Sequence, residues 1–473
     1  MERILIINDH ISNFVWGLPA MVLILGTGLL LSVLCGFPQF TKFGFLIRST
    51  LDSIRRGGRD SSDAVSPFKA MCTALAASLG TGNIAGVSGA IALGGPGAVF
   101  WMWVSALIGM CTKFAEVTLA VHYRERNAER DWVGGPMYYI RNGLGSRWRW
   151  LSTLFCLFGA LAAFGIGNMT QINTIAETVN EAIGGFTAIS DDDQMLISLI
   201  VGVICSATIF FVLFGGVQRI GEVSALLVPF VSVVYLLASL TVIVVRSDEI
   251  PAALRAIFVG AFNPGAVAGG LAGVGVREAI TRGVGRGIFS NEAGLGSGPM
   301  AYAAADTEHP AEQGLCGMFE VFVDTIVICG ITALVILLGV GVENIPYGAD
   351  AGAALAIRGL QSVFDGAISG VVVAVCMTIF AIASVLTWGL YGARCCEYLL
   401  GSAAAKLYQL VFSLCAIVGA TMELADVWAI ADTLNGLMAL PNLVALVALS
   451  PVVVKLNREY FLKKQSEFTK KLH

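Results

Sequence analysis

A run of small polar residues interrupts one long apolar segment of the chain. Ala74–Ala90 reads ALAASLGTGNIAGVSGA, with Gly80, Thr81, Gly82 and Asn83 at its centre. Backbone groups inside a membrane must be hydrogen-bonded, so a glycine-rich break is tolerated there only if it is buried in protein or lines a cavity. Such a break offers N–H groups to a carboxylate and carbonyl oxygens to a hard cation such as Na⁺. The run therefore predicts a binding site for a zwitterion together with a cation.

Two other interpretations apply to the same run. Gly82, Gly86 and Ala90 recur every four residues, as in motifs that pack membrane helices closely. That reading leaves Thr81 and Asn83 beside two glycines unexplained. A nucleotide-binding glycine loop needs a preceding strand in a βαβ unit, and the surrounding sequence predicts none.

A second segment, 265–294, has the same character. It reads GAVAGGLAGVGVREAITRGVGRGIFSNEAG and contains no uninterrupted apolar run of about 20 residues, the length that a spanning helix needs. Paired broken helices hold substrate and ion near the midplane of inverted-repeat transporters. The two segments therefore predict such a pair.

Several ionisable residues fall inside apolar runs, where charged side chains are functional candidates by default. They are Lys113, Glu116, Arg277, Arg282, Arg286, Glu320, Asp324 and Asp432. Asp324 is open to two interpretations: a proton- or cation-binding group, or, with Glu320, a partner of the three arginines in ion pairs. The second is favoured, because there are enough arginines to neutralise both acids. Lys113 is expected to extend its ammonium to the membrane interface.

The elements that must position these residues are membrane helices. Of 473 residues, 56% are hydrophobic and 13% charged, and the mean hydropathy is +0.79, whereas soluble domains average about 25% charged residues. Two short amphipathic stretches, 250–259 and 351–364, are predicted to lie in the membrane interface. The eleven scattered cysteines are predicted to be buried free thiols. Apolar runs predict eleven spans, numbered here in chain order: 14–36, 68–93, 96–122, 150–180, 194–214, 221–245, 266–290, 312–341, 368–392, 403–421 and 424–454.

Lysine and arginine are concentrated in alternate loops. The loop after the first span, the loop after the third span and the tail after residue 454 are basic, whereas the loop containing Asp191–Asp193 carries no Lys or Arg. Basic loops stay in the cytoplasm. The pattern predicts a multi-pass protein of a plasma membrane, of the bacterial inner-membrane type, with the N-terminus outside and the C-terminus cytoplasmic.

The positions of the two broken spans predict an internal repeat. Without the first span, two sets of five remain, and each set opens with a broken span. Because each set has an odd number of spans, the second set starts on the opposite side of the membrane from the first. The two sets therefore run in opposite directions, as in inverted-repeat transporters. The predicted organisation is an extra helix and basic loop at 1–66, one repeat at 67–246, the inverted repeat at 247–454 and a basic tail at 455–473.

Five motifs resemble those of the alanine-or-glycine:cation symporter family. They are GTGNIAGV (80–87), GGPGAVFWMW (94–103), TKFAEVTLA (112–120), GGPMYYI (134–140) and SNEAGLGSGPMAYAAADTEHPAEQGL (290–315). The resemblance covers essentially the whole chain in the same order. It implies uptake of small neutral amino acids coupled to Na⁺ or H⁺, by a fold like that of the bacterial leucine transporter with one extra N-terminal helix.

The same resemblance implies roles for individual residues. Those implied for the substrate are Ser78, Thr81, Gly82, Gln171, Asn173, Leu271, Val274 and Trp388. Those implied for Na⁺ are the carbonyls of Ala76 and Leu79 and the hydroxyl of Ser384. Relatives carry two adjacent hydroxyls in the ninth span where this chain has Ala383, so Thr387, one turn away, is the candidate replacement. The alternative for Ser384 and Thr387 is a hydroxyl bonded back to its own helix.

The sequence therefore predicts an all-α secondary active transporter and not an enzyme. It is expected to import alanine or glycine, with D-alanine and serine as further candidates, coupled to Na⁺ by alternating access. A proton-coupled amino acid carrier is the main alternative. An ion channel is disfavoured, because channels commonly build a continuous pore from symmetric subunits. The expected partners are the amino acid and membrane lipid, without nucleic acid or an obligate protein partner.

Overall fold

The protein is almost entirely helical. The computed structural model describes residues 2–55, 64–184, 186–187, 189–263, 275–349, 352–422 and 425–472. Within these ranges the only sheet is a two-stranded antiparallel hairpin, Glu125–Arg126 with Trp132–Val133, in which Glu125 lies opposite Val133. The predicted all-α class is confirmed.

Nine helices in the described ranges are long and apolar enough to cross a membrane. The second and seventh predicted spans, those expected to be broken, are not among them, so the result is consistent with eleven spans. The nine are Ile6–Cys35, Gly97–His122, Ser146–Gly184, Asp191–Leu213, Gly216–Val245, Pro310–Gly339, Ile368–Leu400, Ser402–Thr421 and Ala429–Ala448.

The second span is broken as predicted. Helix Pro67–Ser78 starts at the N-cap Ser66, whose hydroxyl accepts from Lys69 N–H at 3.3 Å. It ends before Gly80, which is extended at φ −133° and ψ −152°. A 3₁₀ turn, Thr81–Asn83, and a second half-helix, Ala85–Gly94, follow.

The described part of the seventh span is one continuous helix, Val276–Asn291, and the non-helical backbone comes after it. We name residues 292–298 the unwound segment; it precedes the short helix Pro299–Tyr302. Glu292, Gly294 and Gly296 in this segment have φ of 56°, 95° and 83°, a left-handed conformation that an L-residue adopts only at a cost. The segment 265–294 is therefore helical over 276–291 and unwound in its last three residues, while 264–274 lie outside the described residues.

Two other spans contain π-helical segments, which occur often at functional sites. In the fourth span, Gly165–Met169 separates helix Arg149–Phe164 from helix Thr170–Gly184. In the eighth span, Phe322–Cys329 separates Pro310–Val321 from Gly330–Gly339.

The remaining elements surround this frame. Residues 2–13, which precede the first predicted span, belong to helix Glu2–Val15. The two amphipathic stretches form Ile250–Gly260 and Ala354–Gln361. All eleven cysteines are free, and nine are buried. The other helical segments are Leu18–Cys35, Pro38–Thr41, Phe43–Arg55, Pro136–Tyr139, Ile140–Leu144, Ser146–Trp148, Ser247–Glu249, Val342–Asn344, Gly366–Leu400, Ala425–Ala448 and Ser450–Leu472.

The third span, Gly97–His122, lies at the centre of the protein. The most apolar 18-residue stretch of this helix is 83% buried, compared with 28% for the corresponding stretch of Gly216–Val245 and 39% for that of Asp191–Leu213. Those two helices therefore present most of their apolar side chains to lipid. The third span packs instead against Val276–Asn291 and Pro310–Val321, and so its polar residues face the two interrupted regions.

Candidate functional site

The break in the second span releases backbone carbonyls from helical hydrogen bonds. In a continuous helix Gly80 N–H would donate to Ala76 O. It donates instead to Ser78 O at 3.0 Å and to Asn83 Oδ1 at 2.9 Å. Asn83 N–H, which would reach Leu79 O, donates to Gly80 O at 3.3 Å. The carbonyls of Ala76 and Leu79 are thereby free of their usual helical donors, as the predicted cation site requires.

Side chains from the fourth and ninth spans meet at Gly80. A Cβ atom on Gly80 would lie 3.4 Å from both Gln171 Oε1 and Ser384 Oγ. Gln171 Oε1 accepts from Thr81 N–H at 3.5 Å. Ser384 Oγ donates to Ala77 O at 3.2 Å, a carbonyl that also precedes the break. The structure thus brings together Gln171, Ser384 and the break.

Thr387 lies farther from the break than Ser384. Its hydroxyl is within 3.1 Å of Thr73 O, one turn earlier in the second span, and within 3.1 Å of Ala383 O in its own helix. Thr387 therefore combines a bond back to its own helix with a bond across to the second span. Ser384 bonds across to the second span next to the break, through Ala77 O.

Glu320 of the eighth span joins the first break to the region around the unwound segment. Ser78 Oγ donates to Glu320 Oε1 at 2.7 Å, and Tyr302 Oη donates to Glu320 Oε2 at 2.9 Å. Lys113 Nζ lies 3.2 Å from Glu320 Oε1, and both side chains are 0% exposed. The expectation that Lys113 reaches the membrane interface is wrong, because its ammonium is neutralised inside the protein.

Asp324, one turn after Glu320, links the same two regions a second time. Asn83 Nδ2 donates to Asp324 Oδ1 at 2.6 Å, and Ser290 Oγ donates to Asp324 Oδ2 at 2.8 Å. Thr325 Oγ1 also donates to Asp324 Oδ2, at 2.7 Å. The carboxylate therefore ties the first break to the end of the helix that leads into the unwound segment.

The arginines of the seventh span do not pair with these acids, contrary to the favoured interpretation. Gly283 and Gly287 face the third span so closely that Cβ atoms there would lie 2.3 Å from Ala98 O and Ser105 Oγ, respectively. This packing turns the arginine side chains to other faces of the helix. Arg277 and Arg282 are exposed, and Arg286 is half-buried.

A third buried acid holds the unwound segment itself. Glu116 Oε1 accepts from Gly294 N–H at 3.1 Å, and Asn442 Nδ2 donates to Gly294 O at 2.9 Å. Asn442 also donates to Glu116 and accepts from Tyr139. The unwound backbone is therefore hydrogen-bonded within the protein, as a membrane interior demands.

Comparison with known proteins agrees with this architecture. The family model for the sodium:alanine symporter family matches residues 1–473. The chain belongs to the sodium:alanine symporter family. It is 42% identical over 457 residues, 96% of each chain, to the sodium/alanine symporter AgcS of Methanococcus maripaludis. It is also 42% identical over 460 residues, 96% of each chain, to an uncharacterized transporter of Haemophilus influenzae.

Among solved structures, the symporter is similar to MhsT in complex with L-phenylalanine. The TM-score is 0.59 at 13% identity, and the match covers 85% of this chain and 99% of MhsT. At this identity the likeness shows the fold alone, which is that of the leucine transporter. The predictions of family, fold and transporter class are confirmed.

The remaining predicted residues of this symporter lie at different distances from the break. Gly82 faces the seventh span, because a Cβ atom there would lie 3.5 Å from Phe289 Cδ1. Trp388 packs against Gly167 in the π-helical segment of the fourth span. Asn173 is half-buried, and within the described ranges it forms no hydrogen bond to the break or the unwound segment. Leu271 and Val274 lie outside the described residues.

Several residues of the site carried no predicted role. They are Asn83, Ser290, Glu292, Tyr302 and Asn442. Three of them, Ser290, Glu292 and Tyr302, lie in the quoted motif 290–315, whose polar and charged side chains could have been recognised as too costly to bury without partners. Asn442 is an isolated polar residue in an apolar run. The cost of burying its amide without partners is the only feature of the sequence that indicates a role for it.

Proposed function

We propose that the protein imports small neutral amino acids together with Na⁺ by alternating access. Alanine and glycine are the first candidates, and D-alanine and serine are further ones. The observation that carries the proposal is the break in the second span. There the released carbonyls of Ala76 and Leu79 adjoin Ser384 and Gln171 in one buried region.

The proposed substrate contact is the N-terminal end of half-helix Ala85–Gly94. Amide N–H groups and the helix dipole favour an anion at such an end. The amides of Thr81 and Gly82 would donate to the substrate carboxylate, with Thr81 N–H leaving its long 3.5 Å bond to Gln171. The Gln171 side-chain amide would then donate to the same carboxylate.

The proposed Na⁺ contact uses oxygen atoms, which hard cations prefer. The carbonyls of Ala76 and Leu79 and the hydroxyl of Ser384 are the first candidates. Thr387 is a weaker candidate, because its hydroxyl is bonded to Thr73 O and Ala383 O. Since cation and carboxylate would bind on either side of Gly80, each would stabilise the conformation that binds the other.

The proposed substrate site is lined by a glycine and by aromatic side chains, which leave room for a small substrate. Gly82 leaves only ordinary contact distance to Phe289, and Trp388 closes the side toward the fourth span. Leu271 and Val274 remain proposed pocket residues, as does Asn173. Their roles rest on the resemblance of the motifs and not on observed contacts.

The proposal includes an orientation and a division of the chain. The positive-inside rule places the N-terminus outside and the C-terminus in the cytoplasm. The proposed repeats are residues 67–246 and 247–454, flanked by the N-terminal region 1–66 and the tail 455–473. In this orientation the Gly94 end of half-helix Ala85–Gly94 points outward.

Proton coupling is the second candidate, favoured by one observation. Glu320 and Asp324 are both 0% exposed, and both hydrogen bond to residues of the first break. A carboxyl group so placed can exchange a proton when the break rearranges. In that case a proton would take the place of Na⁺ as the coupling ion.

Uptake of radiolabelled alanine by purified protein in liposomes separates the two candidates. With an inward Na⁺ gradient at equal pH on both sides, we expect alanine to accumulate. An inward H⁺ gradient without Na⁺ is expected to give no accumulation. Accumulation driven by H⁺ alone would overturn the sodium proposal and favour the acids.

The variant Ser384→Ala tests the cation contact. We expect it to raise the Na⁺ concentration for half-maximal uptake roughly tenfold, the equivalent of about 1.4 kcal/mol. Linked binding also predicts weaker alanine binding at low Na⁺ and recovery at high Na⁺. The matched control is Thr387→Ala, for which we expect a smaller shift. Equal shifts in both variants would contradict the assignment of Ser384.

A further inference from the structure

The segment 303–309, which we name the strap, ties the start of the second span to the start of the eighth. Val65 N–H donates to Ala304 O at 3.0 Å, and Val65 O accepts from Asp306 N–H at 2.8 Å. Arg124, two residues after the third span, donates to two further carbonyls of the strap, at 3.1 and 2.6 Å. In the proposed orientation these contacts lie at the cytoplasmic end, where the strap holds the start of the second span in place.

His309, the last residue of the strap, caps the eighth span. Its backbone is extended, at φ −141° and ψ 131°, and it is the N-cap of helix Pro310–Val321. The imidazole Nδ1 atom accepts from Ala311 N–H at 3.2 Å and so satisfies one of the N–H groups that a helix start leaves without a helical partner. A ring nitrogen accepts a hydrogen bond only while it is unprotonated. The cap therefore requires the neutral imidazole.

The C-terminal helix Ser450–Leu472 packs over this imidazole. The centre of the His309 ring lies 5.1 Å from that of the Tyr460 ring, and His309 is half-buried. The described titratable groups around it are Glu459, Lys463 and Lys464 of the C-terminal helix, His122 at the end of the third span, and Glu308 and Glu312 beside it in the chain.

These surroundings favour the neutral form of His309. Burial lowers the pKa of the imidazole below its usual value of about 6.5, and the positive groups Lys463, His122 and Lys464 lower it further, opposed by Glu459. A positive charge at the start of a helix is also unfavourable, because the helix dipole is positive there. The contribution of the cap to stability is therefore complete above a pH of about 6.5 and is lost as the pH falls below that value.

We propose that His309 is a proton-sensitive latch that lets an acidic cytoplasm inhibit uptake. The neutral imidazole holds the strap between the eighth span and the start of the second span. Protonation removes the cap and releases the strap, so the cytoplasmic end stays open for longer and the transporter returns more slowly to face outward. The inference rests on the proposed function, because alternating access requires this end to be closed while the substrate enters from outside.

Uptake into right-side-out membrane vesicles tests the latch. The vesicles are loaded at about pH 7.5 or about pH 5.5, values on either side of the usual pKa of histidine, with the same external pH, Na⁺ gradient and clamped voltage. For the wild type we expect initial alanine uptake to be about fivefold slower at the acidic internal pH, the equivalent of about 1 kcal/mol for a lost N-cap. Size-exclusion profile establishes that each variant below is folded.

Substitutions at His309 separate the cap from other effects of acid. His309→Asn keeps a side-chain oxygen that can cap the helix and does not titrate, so it should transport at the wild-type rate at both internal pH values. His309→Ala lacks the cap and should be slow at both. His10→Asn is the control, because His10 is exposed and its ring bonds to Ile6 O within its own helix; it should respond to acid as the wild type does.

Proteolysis measures release of the strap without transport. Cleavage after Glu308 by a glutamate-specific protease, at one neutral pH in lipid nanodiscs, should be about fivefold faster in His309→Ala than in the wild type or His309→Asn, because cleavage needs local opening. Equal cleavage rates in the three proteins would overturn the latch. Wild-type uptake that does not respond to internal pH, or equal inhibition of His309→Asn, would also overturn it and leave the proposed function standing. Absence of Na⁺-driven alanine uptake by the wild type at neutral internal pH would instead overturn the proposed function.

Discussion

The variant Lys113→Met gives the sharpest test of the buried charge arrangement. The ammonium of Lys113 lies 3.2 Å from Glu320 and also interacts electrostatically with Glu116 and Glu292. Exposure of these four side chains is between 0% and 3%. Methionine preserves most of the apolar stem and removes the charge. Because three carboxylates then share the interior without their lysine, we expect a loss of about 3–5 kcal/mol, the usual cost of breaking a buried pair.

Removing the charge of the acidic partner, Glu320, should reduce the stability less. In Glu320→Gln the lysine keeps two acids, Glu116 and Glu292, and the glutamine carbonyl can still accept a hydrogen bond from Ser78 or Tyr302. We expect a loss of about 1.5–3 kcal/mol, the range for losing one hydrogen bond to a charged group. Removing Lys113 is therefore predicted to cost more stability than removing the charge of Glu320. The difference arises because the lysine also neutralises Glu116 and Glu292.

Thermal unfolding of purified protein in one detergent and one buffer checks this order. We expect the apparent Tm to fall from wild type to Glu320→Gln and further to Lys113→Met. The double variant should be more stable than Lys113→Met alone, because it buries one carboxylate fewer. Lys406→Met is the control: Lys406 lies 3.0 Å from Glu129, both side chains are largely exposed, and such pairs contribute at most about 1 kcal/mol.

Two outcomes would refute this reasoning. A Lys113→Met protein as stable as Lys406→Met would mean that the acids near Lys113 are already uncharged. Strict additivity of the two single changes in the double variant would mean that Lys113 and Glu320 do not interact.

Three further predictions concern the break in the second span, the membrane topology and the effect of membrane potential on uptake. Gly82→Ala should retain uptake, since a Cβ atom would meet Phe289 at 3.5 Å, whereas Gly82→Val should abolish it in folded protein; wild-type uptake by the valine variant would restrict Gly82 to a packing role. With the two partly exposed native cysteines replaced, Asp192→Cys should react with an impermeant thiol reagent in intact cells and Gly57→Cys only after permeabilisation, and the reverse pattern would invert the proposed orientation. Entry of Na⁺ with a zwitterion carries one positive charge inward, so a negative interior should drive uptake by about 2.3 kcal/mol per 100 mV, and uptake indifferent to voltage would contradict this.

Local properties of the sequence were enough to locate the break in the second span. Glycine has low helix propensity and lacks a Cβ atom, so GTGN within an apolar run marks the place where a helix stops. The carbonyls released at that place, those of Ala76 and Leu79, follow from helix geometry once the break is known. The contact of Ser384 with this region was implied by the motif resemblance and agrees with its hydrogen bond to Ala77 O.

The second interruption was harder to place from the sequence. The many glycines of 265–294 predicted a break within the span, but Gly283 and Gly287 serve close packing against the third span and remain helical. Gly294 and Gly296, which follow the helix, adopt the left-handed conformation instead. A glycine count does not separate these two uses, because each depends on the neighbour that the backbone approaches.

The sequence by itself determined the membrane class, the all-α fold class and the family, because these depend on composition, segment length and motifs. The tertiary structure alone decided the partners of the buried charges. Glu320 binds Lys113, Ser78 and Tyr302, and Asp324 binds Asn83 and Ser290, while the nearby arginines turn elsewhere. The physical reason is that a charge count shows which pairs can form, whereas the rotation of each packed helix about its own axis determines which charges come within a few ångströms of each other.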